Sequence, residues 1–210
     1  MREESRTESL FHRDNREQKL RKLNLGCGEF KKDGYLNVDF AAASGPDICH
    51  DLNRLPYPFA DGSFDLIEAD HLLEHLNDPF SVMRELHRIG ADGCKIRLRV
   101  PHFSRGFTHP QHCRGFDVSF PLYFNPDFKG GYQGVDLELQ NMRLRWFAQV
   151  YLKRTVMPGW MCSAAELAGA VIDAFARLSP YICSRLWCFW VGGFDEIEFS
   201  FRVSKKTVAS

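Results

Sequence analysis

At 210 residues and 24.2 kDa the chain can bury one α/β core, whereas two domains would each be left with a thin one. Its 27 Lys and Arg balance 27 Asp and Glu, which leaves no global field to draw in nucleic acid. The longest apolar stretch, around Leu186 to Val191 beside Arg185, falls well short of the roughly 18 to 20 residues of a membrane span, and the first 22 residues carry seven basic and five acidic side chains without a signal-peptide core. A cytoplasmic chain without a transmembrane span is expected. Seven cysteines, an odd number without a CxxC pair, suggest reduced core thiols rather than disulfides or a zinc ribbon.

In chain order, residues 1–21 read as a charged leader, 22–204 as the domain and 205–210 as a tail. Lys22 to Leu25 is a buried strand that runs into the tight turn Gly26-Cys27-Gly28. A second strand is expected over 35–40, with Asp39 near its end, and a third over 65–69, after the turn Ala60-Asp61-Gly62-Ser63. The spacing of Phe80, Val82, Met83, Leu86 and Ile89 predicts a helix over 79–89, with Pro79 in its first turn. A strand over 95–100 is cut off by Pro101. Residues 101–141 then read as an inserted loop, with eight aromatic residues between Pro101 and Tyr132 together with His102, His109 and His112. A strand within 142–152, a helix over 164–178 and a strand over 194–203 complete the chain. This alternation predicts an α/β fold with a mainly parallel central sheet, helices on both faces and an antiparallel edge strand.

A strand ending in Gly-x-Gly, followed by an acid at the end of the next strand, is the general layout of a nucleotide-type cofactor site. A dinucleotide is disfavoured, because Lys31 stands at the third glycine of GxGxxG and Asp39 comes only eleven residues after Gly28. So short a connection leaves no good helix N-terminus for a pyrophosphate, and a ligand without phosphates is expected.

Read in order, Leu23-Asn24-Leu25-Gly26-Cys27-Gly28, residues 33–39 (DGYLNVD), His50-Asp51-Leu52-Asn53, residues 55–59 (LPYPF), residues 61–65 (DGSFD) and Leu73-Glu74-His75-Leu76 resemble the class I S-adenosylmethionine-dependent methyltransferases, in particular the small bacterial branch of the type 11 family. The resemblance covers residues 22–104 and implies a Rossmann-like fold, S-adenosylmethionine as cofactor and an unidentified small-molecule or glycan- or lipid-type acceptor. It implies that Gly26, Cys27 and Gly28 form the turn under the methionine part and that Asp39 binds the ribose. Asp51 and Leu52 would cap the adenine, and His71 would line the pocket near the sulfonium. Phe30 departs from the pattern, standing where many relatives have a third glycine.

His71-Leu72-Leu73-Glu74-His75 also spells HxxEH, the pattern of inverted zinc peptidases, with Glu166 the only helical candidate for a third ligand. That reading leaves the glycine turn and Asp39 unexplained. Ubiquinone-pathway O-methyltransferases have a similar Glu-x-x-Glu-His segment thought to hold a divalent ion, but His71 replaces the first Glu, and no metal is expected here. His102, His109, His112 and Cys113 match no standard zinc spacing.

The segment leaving the 95–100 strand should border the transferred methyl group, which makes His102, His109 and His112 the candidate general bases and His102, His112 and His71 the candidate catalytic residues. Gly106, Gly115, Gly130 and Gly131 would hinge the loop as a lid, with Phe103, Phe107, Phe116 and Phe120 beneath it. Where relatives of this branch read Asp-Pro-x-His, this chain has His109-Pro110-Gln111-His112. The other class of reading is a non-catalytic binding or assembly module on the same fold. Trp187 and Trp190 would then meet a membrane surface or a second copy in a homodimer.

Overall fold

In a computed structural model, residues 21–205 are described, so the expected leader and tail lie outside the described residues except for Arg21 and Lys205. Seven strands, β1 (Lys22–Leu25), β2 (Leu36–Asp39), β3 (Ile48–Cys49), β4 (Phe64–Asp70), β5 (Gly90–Pro101), β6 (Asp136–Arg145) and β7 (Glu196–Ser204), form one sheet in the order β3-β2-β1-β4-β5-β7-β6. The pairs from β3 to β5 are parallel, and β7 runs antiparallel to both β5 and β6. The order reverses between β1 and β4. At such a switch point the connections leave in opposite directions and open a crevice beyond the carboxyl ends of the strands.

The apolar face of the sheet carries Leu23, Leu25, Val38, Ile67, Ala69 and Ile96, all fully buried, and helix α1 (Pro79–Ile89) packs its Val82, Met83, Leu86 and Ile89 into the same core. The helix begins where the sequence predicts because the Asp78 carboxylate accepts from the backbone N–H groups of Phe80 (3.0 Å) and Ser81 (3.2 Å), with Pro79 already in its first turn. Asp78→Ala is expected to cost about 1 kcal/mol, which a thermal melt reads as a fall of roughly 2–4 °C for a domain of this size.

On the opposite face Lys95, Arg97 and Arg99 alternate with the buried Ile96, Leu98 and Val100 and are exposed. They meet a ladder of opposite charges rather than a helix: Arg97 pairs with Glu68 (3.1 Å), and Lys32 bridges Glu68 (2.9 Å) and Asp70 (3.0 Å).

β6 lies earlier than the 142–152 expected. Its alternating pattern continues through Trp146 and Ala148, but their backbone N–H groups donate to the Asp173 carboxylate (2.8 Å) and the Asp195 carboxylate (2.8 Å), which takes them out of the ladder. Helices α2 (Val150–Lys153) and α3 (Gly159–Ala176) follow, then α4 (Pro180–Ile182), a π turn over Cys183–Trp187 and α5 (Cys188–Trp190). α3 is apolar on most sides but fully buries only Cys162, Gly169, Asp173 and Ala176. Trp160, Leu167, Val171 and Phe175, and beyond the helix Leu178, Ile182, Leu186, Phe189 and Trp190, are exposed. No described helix is long and apolar enough to cross a membrane.

The segment between β5 and β6 is packed rather than hinged. Phe103 N–H donates to Phe116 O (2.8 Å), and Phe116 N–H donates to Pro101 O (2.9 Å). A Cβ on Gly115 would lie 2.5 Å from Phe103 Cα, and one on Gly106 would lie 2.9 Å from Gly115 Cα. These two glycines permit close backbone contact instead of motion. Phe116, Phe120 and Phe124 belong to the core, with the Phe120 ring 6.0 Å from that of Phe199, whereas Phe107 is exposed. The expected lid is a plug that seals the apolar side of the sheet.

Candidate functional site

A cavity of about 700 Å³ opens at the carboxyl ends of β1 and β4, within the roughly 300–1,000 Å³ typical of small-molecule sites. The glycine turn forms its floor. Gly26 has φ +66° and Gly28 φ +47°, and a Cβ on Gly26 would lie 2.8 Å from Leu72 Cδ1, so this position requires both the left-handed backbone and the missing side chain. A Cβ on Gly28 would meet nothing within 4 Å, which leaves its backbone open to a ligand. Asp39, buried at the end of β2, ties the turn to the second strand: its carboxylate accepts from Gly28 N–H (2.8 Å) and Ala41 N–H (2.9 Å). Phe30, in the place of a third glycine, lines the cavity and meets Tyr151 edge-on at 5.3 Å, closing one rim.

His71 forms the inner wall. It follows β4 with φ +51°, and its ring is held between two buried carboxylates, with Nε2 2.6 Å from Glu196 and Nδ1 3.2 Å from Glu74. Burial alone would pull its pKa down, but the hydrogen bonds and charges of Glu196 and Glu74 outweigh it and hold the ring up at about 9. At neutral pH it is an imidazolium donating from both nitrogens, with no lone pair to accept a proton. It is therefore a positioning residue rather than a proton acceptor. Glu196 stands at the start of β7, and because β7 is antiparallel that start falls at the crevice. The remaining charged lining is Glu29, Lys32, Asp70, Arg99, Arg145 and Glu198.

The cavity thus gathers Gly26, Cys27, Gly28 and His71, with Asp39 bonded to its floor, and leaves other expected residues outside its lining. Asp51 accepts from Asn53 N–H in a turn (3.0 Å), and Leu52 is buried in the core; neither lines this cavity. His102 is fully buried. Its Nδ1 lies 2.7 Å from Ser104 Oγ and its Nε2 2.9 Å from Ser184 Oγ, which corrects the expectation of a general base. His112 is also outside the lining, with Nδ1 donating to Gly106 O (2.6 Å). The HxxEH reading fails on backbone geometry. The motif lies on a left-handed residue and the single 3₁₀ turn Leu73–His75, so His71 and His75 do not share a helical face. Glu196, Lys32, Arg99 and Arg145 were not singled out by sequence reasoning.

Residues 35–98, from β2 through most of β5 and starting after the glycine turn, match the family described as "Methyltransferase domain". Over that stretch the chain is similar to this methyltransferase-domain family. It is 35% identical over 71 residues to ajmaline N-methyltransferase from Rauvolfia serpentina, a match over 32% of this chain and 24% of that relative, so the chain spans about a quarter of the curated relative's length. Among solved structures, the [4+2]-cyclase SpnF shares 15% identity at a TM-score of 0.54, over 97% of this chain and 81% of that one. The YcgJ protein from Bacillus subtilis shares 15% identity at a TM-score of 0.49, over 90% of this chain and 93% of that one. The SpnF likeness establishes the fold alone. S-adenosylmethionine is the cofactor of the matched family, and the open backbone of Gly28, the buried Asp39 carboxylate and the cavity volume suit it.

Proposed function

We propose that this chain is an S-adenosylmethionine-dependent methyltransferase acting on a small-molecule acceptor. The observation that carries the reading is the glycine turn, bonded through Gly28 to Asp39, lying on the floor of the cavity at the switch point. Gly26, Cys27, Gly28 and Asp39 hold the cofactor, and the acceptor enters between the Phe30–Tyr151 rim and the His71–Glu196 wall. When bound, S-adenosylmethionine supplies an electrophilic methyl group on a good leaving group. The protein's task is then chiefly alignment and, for an acidic acceptor group, proton removal. His71 orients the wall, and Glu196, beside it, is a cavity carboxylate with lone pairs to receive a proton. The match to an N-methyltransferase supports a nitrogen acceptor as the first class to try.

Calorimetric titration with S-adenosylmethionine, its demethylated product and NAD tests the cofactor assignment. Binding of the first two at one site per chain is expected, and no measurable heat with either sinks the reading. Radiolabelled methyl transfer into cell extract then reveals the acceptor. The exposed apolar residues of α3 and the segment up to Trp190 favour one second reading, a docking module that pairs with a second copy through this face. Tight cofactor binding without methyl transfer in any extract supports the module.

A further inference from the structure

Glu74 is fully buried, and its two oxygens are treated differently. Oε1 accepts from the His71 ring, whereas Oε2 has no hydrogen-bond partner among the described residues. A buried carboxylate oxygen left unpaired is expensive, and its occurrence calls for a missing ion or donor. Around Glu74 lie three imidazoles from two segments. His75 belongs to the same turn as Glu74, and His109 and His112 come from the plug between β5 and β6. The His75 and His112 ring centroids are 4.9 Å apart, and His109 stacks on His112 at 4.8 Å.

The hydrogen bonds around these rings aim their lone pairs. His112 donates from Nδ1 to Gly106 O, which leaves Nε2 as the acceptor nitrogen, 3.8 Å from Glu74 Oε1. The His75 ring meets that of His109 edge-on at 5.8 Å. One ring nitrogen bound to backbone and the other directed inward, as in His112, is the outer-shell pattern of metal-ligating histidines. One ligand atom from each of Glu74, His75 and His112 falls within 4.8 Å of the others. Metal–ligand bonds of about 2.0–2.2 Å place tetrahedral ligands about 3.3 Å apart, so closing the site needs movements of about 1.5 Å, within reach of rotation at two histidine side chains.

We propose that Glu74, His75 and His112 bind one divalent transition-metal ion of the zinc class. One carboxylate and two imidazoles suit Zn²⁺ or Co²⁺, whereas Mg²⁺ and Ca²⁺ require oxygen ligands. The ion compensates the buried, under-satisfied carboxylate of Glu74 and staples the plug to the turn after β4, where Cys113 N–H already donates to Glu74 O (3.0 Å). Through the Glu74–His71 hydrogen bond it fixes the His71–Glu196 wall of the cavity. The inference stands independently of which group the cavity methylates.

The test uses the full chain, stripped with a chelator and titrated with Co²⁺. One equivalent should produce the intense visible bands of a four-coordinate ion, Zn²⁺ should displace them, and the melting temperature should rise. His112→Gln is expected to weaken Co²⁺ and Zn²⁺ binding at least 100-fold, whereas His87→Gln, at a histidine bonded to Ser204 O in another part of the fold, should bind as the unsubstituted chain does. Absence of the bands and of a melting shift in the unsubstituted chain overturns the proposal regardless of how the variants fold. So does binding that survives His112→Gln or is lost equally in His87→Gln.

Discussion

Acidification from pH 6.5 to about 4 is expected to remove about 3 kcal/mol of stability through His102 alone. Its imidazole is fully buried, and the surrounding network fixes it as the neutral form protonated at Nε2. Nε2–H donates to Ser184 Oγ (2.9 Å), Ser184 in turn donates to Asp117 (2.7 Å), and the Ser104 hydroxyl donates to Nδ1 (2.7 Å). A second proton would break the Ser104 bond. Desolvation pushes the pKa down to about 4; the Asp117 carboxylate opposes this weakly, and Arg105 and Arg185 reinforce it. The unfolded ring takes up its proton near pH 6.5 and the folded ring only near 4, so the unfolded state binds more protons between those values. Stability therefore falls as pH falls through that window. Urea unfolding of the unsubstituted chain and His102→Gln at several pH values separates this histidine from the carboxylates that titrate nearby. The variant should be less stable at pH 7 yet lose less on acidification; parallel curves would assign the acid sensitivity elsewhere.

The sequence made most legible those parts whose determinants are local. Helix α1 is set by Asp78, Pro79 and four apolar positions within one segment, and the glycine turn by two residues that cannot carry side chains without strain or loss of access. The end of β6 was not legible, because the acceptors that draw Trp146 and Ala148 out of the ladder, Asp173 and Asp195, lie 27 and 47 residues further on. Glu196 was hidden for the same reason. Its alternation with Ile197 marks only the polar face, and its place at the crevice follows from β7 entering antiparallel between β5 and β6. His71 lines the cavity, but its protonation depends on a carboxylate 125 residues away. The glycines of the 101–141 segment read as hinges because a sequence does not distinguish a glycine that moves from one pressed against another backbone.

Asp39→Ala is expected to weaken S-adenosylmethionine binding by about 1.5–3 kcal/mol, the scale of a hydrogen bond to a charged group, which is roughly 10- to 150-fold in dissociation constant. Two physical routes lead to that loss. The carboxylate can accept directly from a ribose hydroxyl, or it can act only by holding the turn through Gly28 N–H (2.8 Å) and Ala41 N–H (2.9 Å). A ribose-deoxygenated cofactor analogue separates them in a double-mutant cycle. If the contact is direct, the unsubstituted chain loses affinity for the analogue by about the factor that the substitution costs, and the variant no longer distinguishes the two ligands. Asp39→Asn, which keeps the size and one acceptor oxygen, should fall between. A variant that still prefers the natural cofactor by the full factor would confine Asp39 to supporting the turn, and the ribose would then have to be recognised by the backbone of residues 26–30.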